Sequence, residues 1–194
     1  MDYPSNIAMK ISWPRLDSRK IGFITVMTAL IVSLNYLMLP FLNVKLMDLL
    51  VFVSGYSMGG VVGAVIGFLV WLVYGTVNPF GFNLSILVTT CLCEGLYGVV
   101  GGLCSKNCMF NDDVKFDEGE FWYSGLKLGI IGFLVTSVYD LITNVVSGVT
   151  AGIGVVNAII MGFPFAVSHE VSNLLFFSLA GGTLIKTFRK FGLR

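Results

Sequence analysis

The sequence predicts an all-α membrane protein, a six-transmembrane-helix bundle with both termini cytoplasmic. Three observations lead there. Of the 194 residues, 56% are hydrophobic and 12% charged, about half the charged share of a soluble domain, and the mean hydropathy is +0.87. The apolar residues gather into runs near the roughly 20 residues that cross ~30 Å of hydrocarbon. Lysine and arginine fall on one side of those runs once the chain is folded back and forth.

Residues 1–20 carry Pro4, Pro14, Lys10, Arg15, Arg19 and Lys20 and form a polar tail. The first run, 22–39, has a polar lead and no small-x-small cleavage site before charged chain, so it is a retained helix rather than a signal peptide. After a turn at 40–45 comes an apolar stretch, 46–74. As one helix it would be about 44 Å long at 1.5 Å per residue; as two it needs a break, for which Ser57-Met58-Gly59-Gly60 is the natural place. Charge arbitrates. A hairpin leaves Lys45 alone outside and the other eleven Lys and Arg inside, whereas a single helix divides them 4 to 8.

The predicted spans are therefore 22–39, 46–58, 60–75, 84–103, 125–146 and 163–185, within one membrane domain, 21–187, that ends in a cytoplasmic tail, 188–194. The loop 75–83 is external. The loop 105–124 is cytoplasmic and holds Asp112, Asp113, Asp117, Glu118 and Glu120 as a solvated connector. The uncharged segment 147–162 is read as a partly helical external lid or a re-entrant piece. Gly59, Gly63 and Gly67 recur every four residues, as do Gly98 and Gly102, which marks helix faces that pack closely.

Several function classes are excluded. Charge nearly cancels, with 12 Lys+Arg against 11 Asp+Glu, and no basic stripe offers a footprint for nucleic acid. Cys91, Cys93, Cys104 and Cys108 lack framework spacing and paired histidines, so they read as free thiols. Nucleophile elbow, His-Glu-x-x-His, P-loop and dinucleotide fingerprint are all missing. No catalytic residue, metal ligand set or cofactor is expected, and the chain is not read as an enzyme.

Ionisable groups in apolar runs are the candidates for ligand contact. Asp140 and Asn144 share a helical face, four apart, and His169 and Asn173 repeat the spacing. In the six-span topology all four lie at similar depth near the outer side, so two polar faces can line one externally open pocket; the alternative is an interhelical clamp of Asp140 with His169. Glu170 is interfacial or a partner for His169, and Asp48 reads as a helix cap. Glu94, in mid-run, forms either a pocket floor or a site for a coupling proton.

These features resemble the S components of energy-coupling-factor transporters, small six-helix proteins that capture a vitamin or similar micronutrient outside and deliver it through a coupling subunit and two ATPases. The likeness rests on Ser18-Arg19-Lys20-Ile21-Gly22-Phe23 leading into helix one, the glycine-rich hairpin 48–74, Tyr139-Asp140-Leu141-Ile142-Thr143-Asn144, and Gly162-Phe163-Pro164-Phe165 running into His169-Glu170-x-Ser172-Asn173. It covers residues 18–186.

The resemblance implies a multi-pass protein of a prokaryotic plasma membrane with a substrate site at the outer side, formed by Asn78, Phe80 and Asn83 with Asp140, Asn144, His169 and Asn173. It also implies that Ala29 and Ser33 dock the transmembrane coupling subunit, Ser33 standing where the family often has a second alanine. ATP would be hydrolysed by partner subunits. Two other classes compete: a self-sufficient carrier in which Glu94, Asp140 and Glu170 bind a proton or cation, and a structural membrane subunit without ligand.

Overall fold

The computed structural model describes residues 17–78, 81–107 and 118–190, with the backbone alone for 118–121. Helix α1 (Ser18–Leu37) opens on Asp17, whose carboxylate accepts the Lys20 N–H at 2.8 Å, satisfying one of the free donors at a helix start. The helix therefore begins inside the segment expected as tail. Residues 1–16, 79, 80, 108–117 and 191–194 lie outside the described part, and with them Phe80, Cys108, Asp112, Asp113 and Asp117.

The apolar stretch after α1 is a hairpin of two short helices, α2 (Met47–Met58) and α3 (Gly60–Thr76), as the charge argument required. The break is Gly59, at φ 97°, a conformation open to glycine and poor for other residues. Gly59 is thus a hinge, and nothing lies where its Cβ would be, whereas the sequence had placed it on a packing face. All twelve residues of α2 are buried. At about 18 Å it is shorter than the hydrocarbon layer, and its neighbours, not lipid, surround it.

α4 (Leu84–Lys106) runs antiparallel to α3 along a seam of glycines. A Cβ on Gly98 would overlap the Gly63 carbonyl carbon, one on Gly102 the Gly60 backbone, and one on Gly67 would stand 2.7 Å from the Glu94 carbonyl oxygen. The backbones meet because no side chain separates them. Gly55 and Gly101 extend the same close approach between α2 and α4.

α5 (Glu118–Thr150) and α6 (Val155–Phe176) form the second hairpin. The turn between them has Gly152 at φ 69° and Gly154 at φ 82°. Here the structure corrects the sequence. Residues 147–150 are the last turn of α5, and 155–162 are the first two turns of α6, so 147–162 is neither lid nor re-entrant piece. Two positive-φ glycines close the reversal within four residues, and Gly148 against Ala158 lets the helices begin packing at once. Pro164 is inside α6 rather than at its start. After a π-helical turn, Phe177–Gly181, the helix continues as α7 (Gly182–Lys190). Glu118 and Glu120, expected in a loop, lie in α5.

Four segments are long and apolar enough to cross a membrane: Ser18–Leu37, Leu84–Lys106, Trp122–Thr150 and Val155–Lys190. Their outward faces expose large apolar side chains such as Leu92, Leu134, Ile160, Phe163 and Leu175. Water would penalise an apolar exterior of this extent and hydrocarbon does not, so the chain is a helical membrane protein. Two ends of the bundle serve as landmarks. At one, Arg189 donates to the Tyr56 hydroxyl at 3.0 Å and Phe23 packs on Phe188. At the other stand Lys45 and the α1–α2, α3–α4 and α5–α6 connections.

Candidate functional site

The α1–α2 connection is tied down by polar contacts from α6. Asn43, at φ 51°, donates its amide to the Phe165 carbonyl at 3.0 Å, and the Ser168 hydroxyl donates to the Leu42 carbonyl at 2.6 Å. This delivers Lys45 to the mouth of the bundle and Asp48, one turn inward, to its interior. Asp48 is not a cap: the N-cap of α2 is Leu46, which makes no side-chain cap hydrogen bond, and Asp48 is fully buried within the helix.

Asp48 instead meets His169. The His169 Nε2 lies 2.7 Å from Asp48 Oδ2, while its Nδ1 lies 3.0 and 3.2 Å from the two oxygens of Asp140. Each ring nitrogen thus has a carboxylate acceptor, an arrangement that an imidazolium satisfies with both N–H groups. Asn173 donates its amide to Asp48 Oδ2 at 2.6 Å and lies 2.8 Å from the Thr136 hydroxyl, which also receives the Tyr97 hydroxyl at 2.9 Å. The imidazole stands edge-on to the Tyr139 ring, 5.6 Å between centroids. One polar network therefore links α2, α4, α5 and α6 in the bundle core.

Glu94 is a second buried carboxylate, with Oε2 accepting the Trp71 indole N–H at 3.1 Å. It interacts electrostatically with both Asp48 and Lys45. Glu94 Oε1, Asp48 Oδ1 and Asn173 Oδ1 are buried without a hydrogen-bond partner. Thus the acid is held by a tryptophan that no sequence motif singled out.

Two chambers open at the Lys45 end. The larger, about 330 Å³, lies between α1, α3 and the α1–α2 loop and is lined by Asn35, Phe41, Trp71, Tyr74 and Asn78. The smaller, about 200 Å³, lies between α4, α5 and α6 and is lined by Thr90, Asp140, Thr143, Asn144 and Gly162. Asn43, Lys45 and Phe165 border both. The Lys45 ammonium sits 4.8 Å from the Trp71 ring centroid, within cation–π range.

The sequence expected His169, Asn173, Asp140 and Asn144 around one pocket. The structure divides them. Asp140 and Asn144 line the smaller chamber, whereas His169 and Asn173, at 0% exposure, lie behind it in the clamp. The spacing of four was right for each helix, but the rotation of α6 turns its pair toward α2. Asn78 lines the larger chamber. Asn83 does not line either: it is exposed and caps α4, accepting the Ile86 N–H at 3.2 Å. Glu170 is half-buried and takes no part in the contacts of His169, both of whose nitrogens are engaged by other acids.

Lys45, Asn35, Trp71 and Thr136 were missed as site residues. Thr136 carried a signal, since 136, 140 and 144 repeat every four residues along one face of α5. Among the described residues, Cys91, Cys93 and Cys104 are free and buried, and no group of three or more His, Cys, Asp or Glu side chains is placed to hold a metal ion. Ala29 and Ser33 both lie on the exposed face of α1, and the Ser33 hydroxyl donates to the Ala29 carbonyl at 2.8 Å, so it presents little polarity to a neighbour.

Fold and site together define a helical membrane protein with a buried carboxylate–imidazole–carboxylate clamp behind a two-chambered opening. Comparison with known proteins returns no match among family models, curated proteins or solved structures.

Proposed function

We propose that the chain is the substrate-capture subunit of an energy-coupling-factor type importer, binding a vitamin-like small molecule at the Lys45 end and passing it to a transmembrane coupling subunit with two separate ATPases. In this reading the six helical segments α1 to α6–α7 all count as membrane spans, the Lys45 end faces outward and both termini are cytoplasmic in the cell membrane. The 11-to-1 division of Lys and Arg supports that orientation. The short, fully buried α2 can count as a span because neighbouring helices supply its surroundings.

The observation that carries the reading is the opening itself. Concave chambers with aromatic walls and a few convergent polar groups are the usual form of a small-molecule site, and here Asp140 and Asn144 reach one, Asn35 reaches the other and Lys45 borders both. The clamp behind them fixes Asp140 through His169, which holds its carboxylate ready for a ligand donor. The exposed small residues Ala29 and Ser33 on α1 suit close approach by a partner helix. The test is binding by the purified chain without ATP or an ion gradient, with mass spectrometry of whatever copurifies.

A carrier that works alone is the second reading, favoured by the unpaired oxygens of Asp48 and Glu94 as sites for a coupling proton. Uptake into vesicles holding only this chain, driven by a pH or sodium gradient, would establish it and overturn the first.

A further inference from the structure

We propose that the ligand captured at the Lys45 end carries an acidic group, carboxylate or phosphate, and that the larger chamber receives it on the Lys45 ammonium and the Asn35 amide. This rests on the capture reading above and adds the chemistry of what is captured.

The unmatched polar groups of this chamber are donors. Asn35 is 5% exposed, borders the chamber from α1, and its Nδ2 is buried without a hydrogen-bond partner. Lys45 is half-buried, and among the described residues it makes no ion pair within 4 Å, its ammonium resting on the Trp71 ring instead. The Asp48 and Glu94 carboxylates act on Lys45 electrostatically from the bundle core, but neither lines the chamber. The buried amide N–H and the ammonium therefore both gain a direct acceptor when an oxygen anion arrives. Lys45 is also the sole cation that the orientation above puts on the outer side.

The smaller chamber sets the orientation. Lys45 borders both chambers, but the smaller one also has Asp140 in its wall, whereas among the described residues the larger one has no carboxylate. A ligand carboxylate or phosphate in the smaller chamber would therefore meet like charge directly in a poorly solvated space. An acid is thereby directed across Phe165 and Asn43 into the larger chamber, and the smaller one is left for an N–H or O–H donor of the same ligand. Trp71 and Tyr74, edge to face at 5.4 Å, and Tyr74 with Tyr36 at 5.3 Å wall the larger chamber with aromatic surface, which suits an acid borne on a flat or apolar body.

Trp71 supplies the readout, because a ligand acid that draws Lys45 off its ring alters its emission. With Trp13 and Trp122 replaced by Phe, the full chain in nanodiscs is titrated with benzoate, its neutral isostere benzamide, and phenyl phosphate. Benzoate or phenyl phosphate is expected to bind at least tenfold more tightly than benzamide, and whichever is stronger identifies the acid. Lys45→Gln erases that preference, Lys45→Arg retains it, and Asn35→Ala weakens it severalfold. Benzamide equal to or tighter than both acids, no binding of any probe, or a preference that survives Lys45→Gln overturns the proposal. Native mass spectrometry separates the two levels: a copurified neutral molecule overturns the acid alone, whereas protein that never carries a small molecule and binds no probe removes the capture reading with it.

Discussion

Asp48 Oδ2 lies 2.7 Å from His169 Nε2, across 121 positions of sequence. That contact joins the buried helix of the first hairpin to the second hairpin, and with Asp140 on the other side of the ring it makes His169 the point where α2, α5 and α6 are held together.

His169→Ala is therefore expected to destabilise the bundle. It takes the imidazole from Asp140 and leaves Asp48 with the Asn173 amide, and removing one partner of a buried ion pair typically costs about 3–5 kcal/mol. Thermal unfolding in detergent, followed by circular dichroism, measures it. A melting temperature unchanged within a degree would show that the clamp does not hold the helices together.

Asn144→Ala should behave differently. Its amide lines the smaller chamber and makes no hydrogen bond to the described residues, so stability should stay within about 0.5 kcal/mol of the parent. Under the proposed function, retention of a copurified ligand is expected to fall about tenfold, the equivalent of ~1.4 kcal/mol. Equal loss of stability and ligand would instead make Asn144 a structural residue.

Trp71→Phe removes the indole N–H that reaches Glu94 Oε2. With Oε1 already unpartnered, the carboxyl loses its indole donor, a change worth about 1–3 kcal/mol. Chemical unfolding of Trp71→Phe, Glu94→Gln and the double variant would give a coupling energy; strict additivity would mean that the bond contributes nothing.

The glycine seam predicts a sharp contrast between two alanines. Gly98→Ala drives a methyl into the Gly63 carbonyl, while Gly22→Ala meets nothing within 4 Å. Overpacking of this kind costs on the order of 1–3 kcal/mol, so Gly98→Ala should lower the melting temperature, whereas Gly22→Ala, within α1, should hold it or raise it, alanine being the better helix former.

If the proposed function holds, partner docking is separable from capture. Ala29→Leu with Ser33→Leu enlarges the exposed face of α1 without touching either chamber. Ligand binding by the isolated chain should then persist, and ATP-driven uptake by the proposed importer complex should fall at least tenfold. Full uptake by the double variant would move the docking face elsewhere.

Sequence alone determined the solvent and the course of the chain. Hydropathy is a sum over residues, and glycine pairs and four-residue spacings are local, so the hairpin at Gly59 and the polar pairs on α5 and α6 were legible in one dimension. The ends of α5 and α6 were not, because an uncharged, glycine-containing segment is compatible with helix or loop until Gly148 finds Ala158. Tertiary structure decided which polar groups face a cavity and which face one another. Spacing places Asp140 beside Asn144 and His169 beside Asn173 but leaves the rotation of each helix open, and packing against α2 fixes it. The same packing turns Asp48 from a helix-start residue into the partner of His169 and leaves Lys45 at the rim of both chambers. Which side of a helix faces its neighbour depends on every contact at once, and that information lies in no local stretch of the chain.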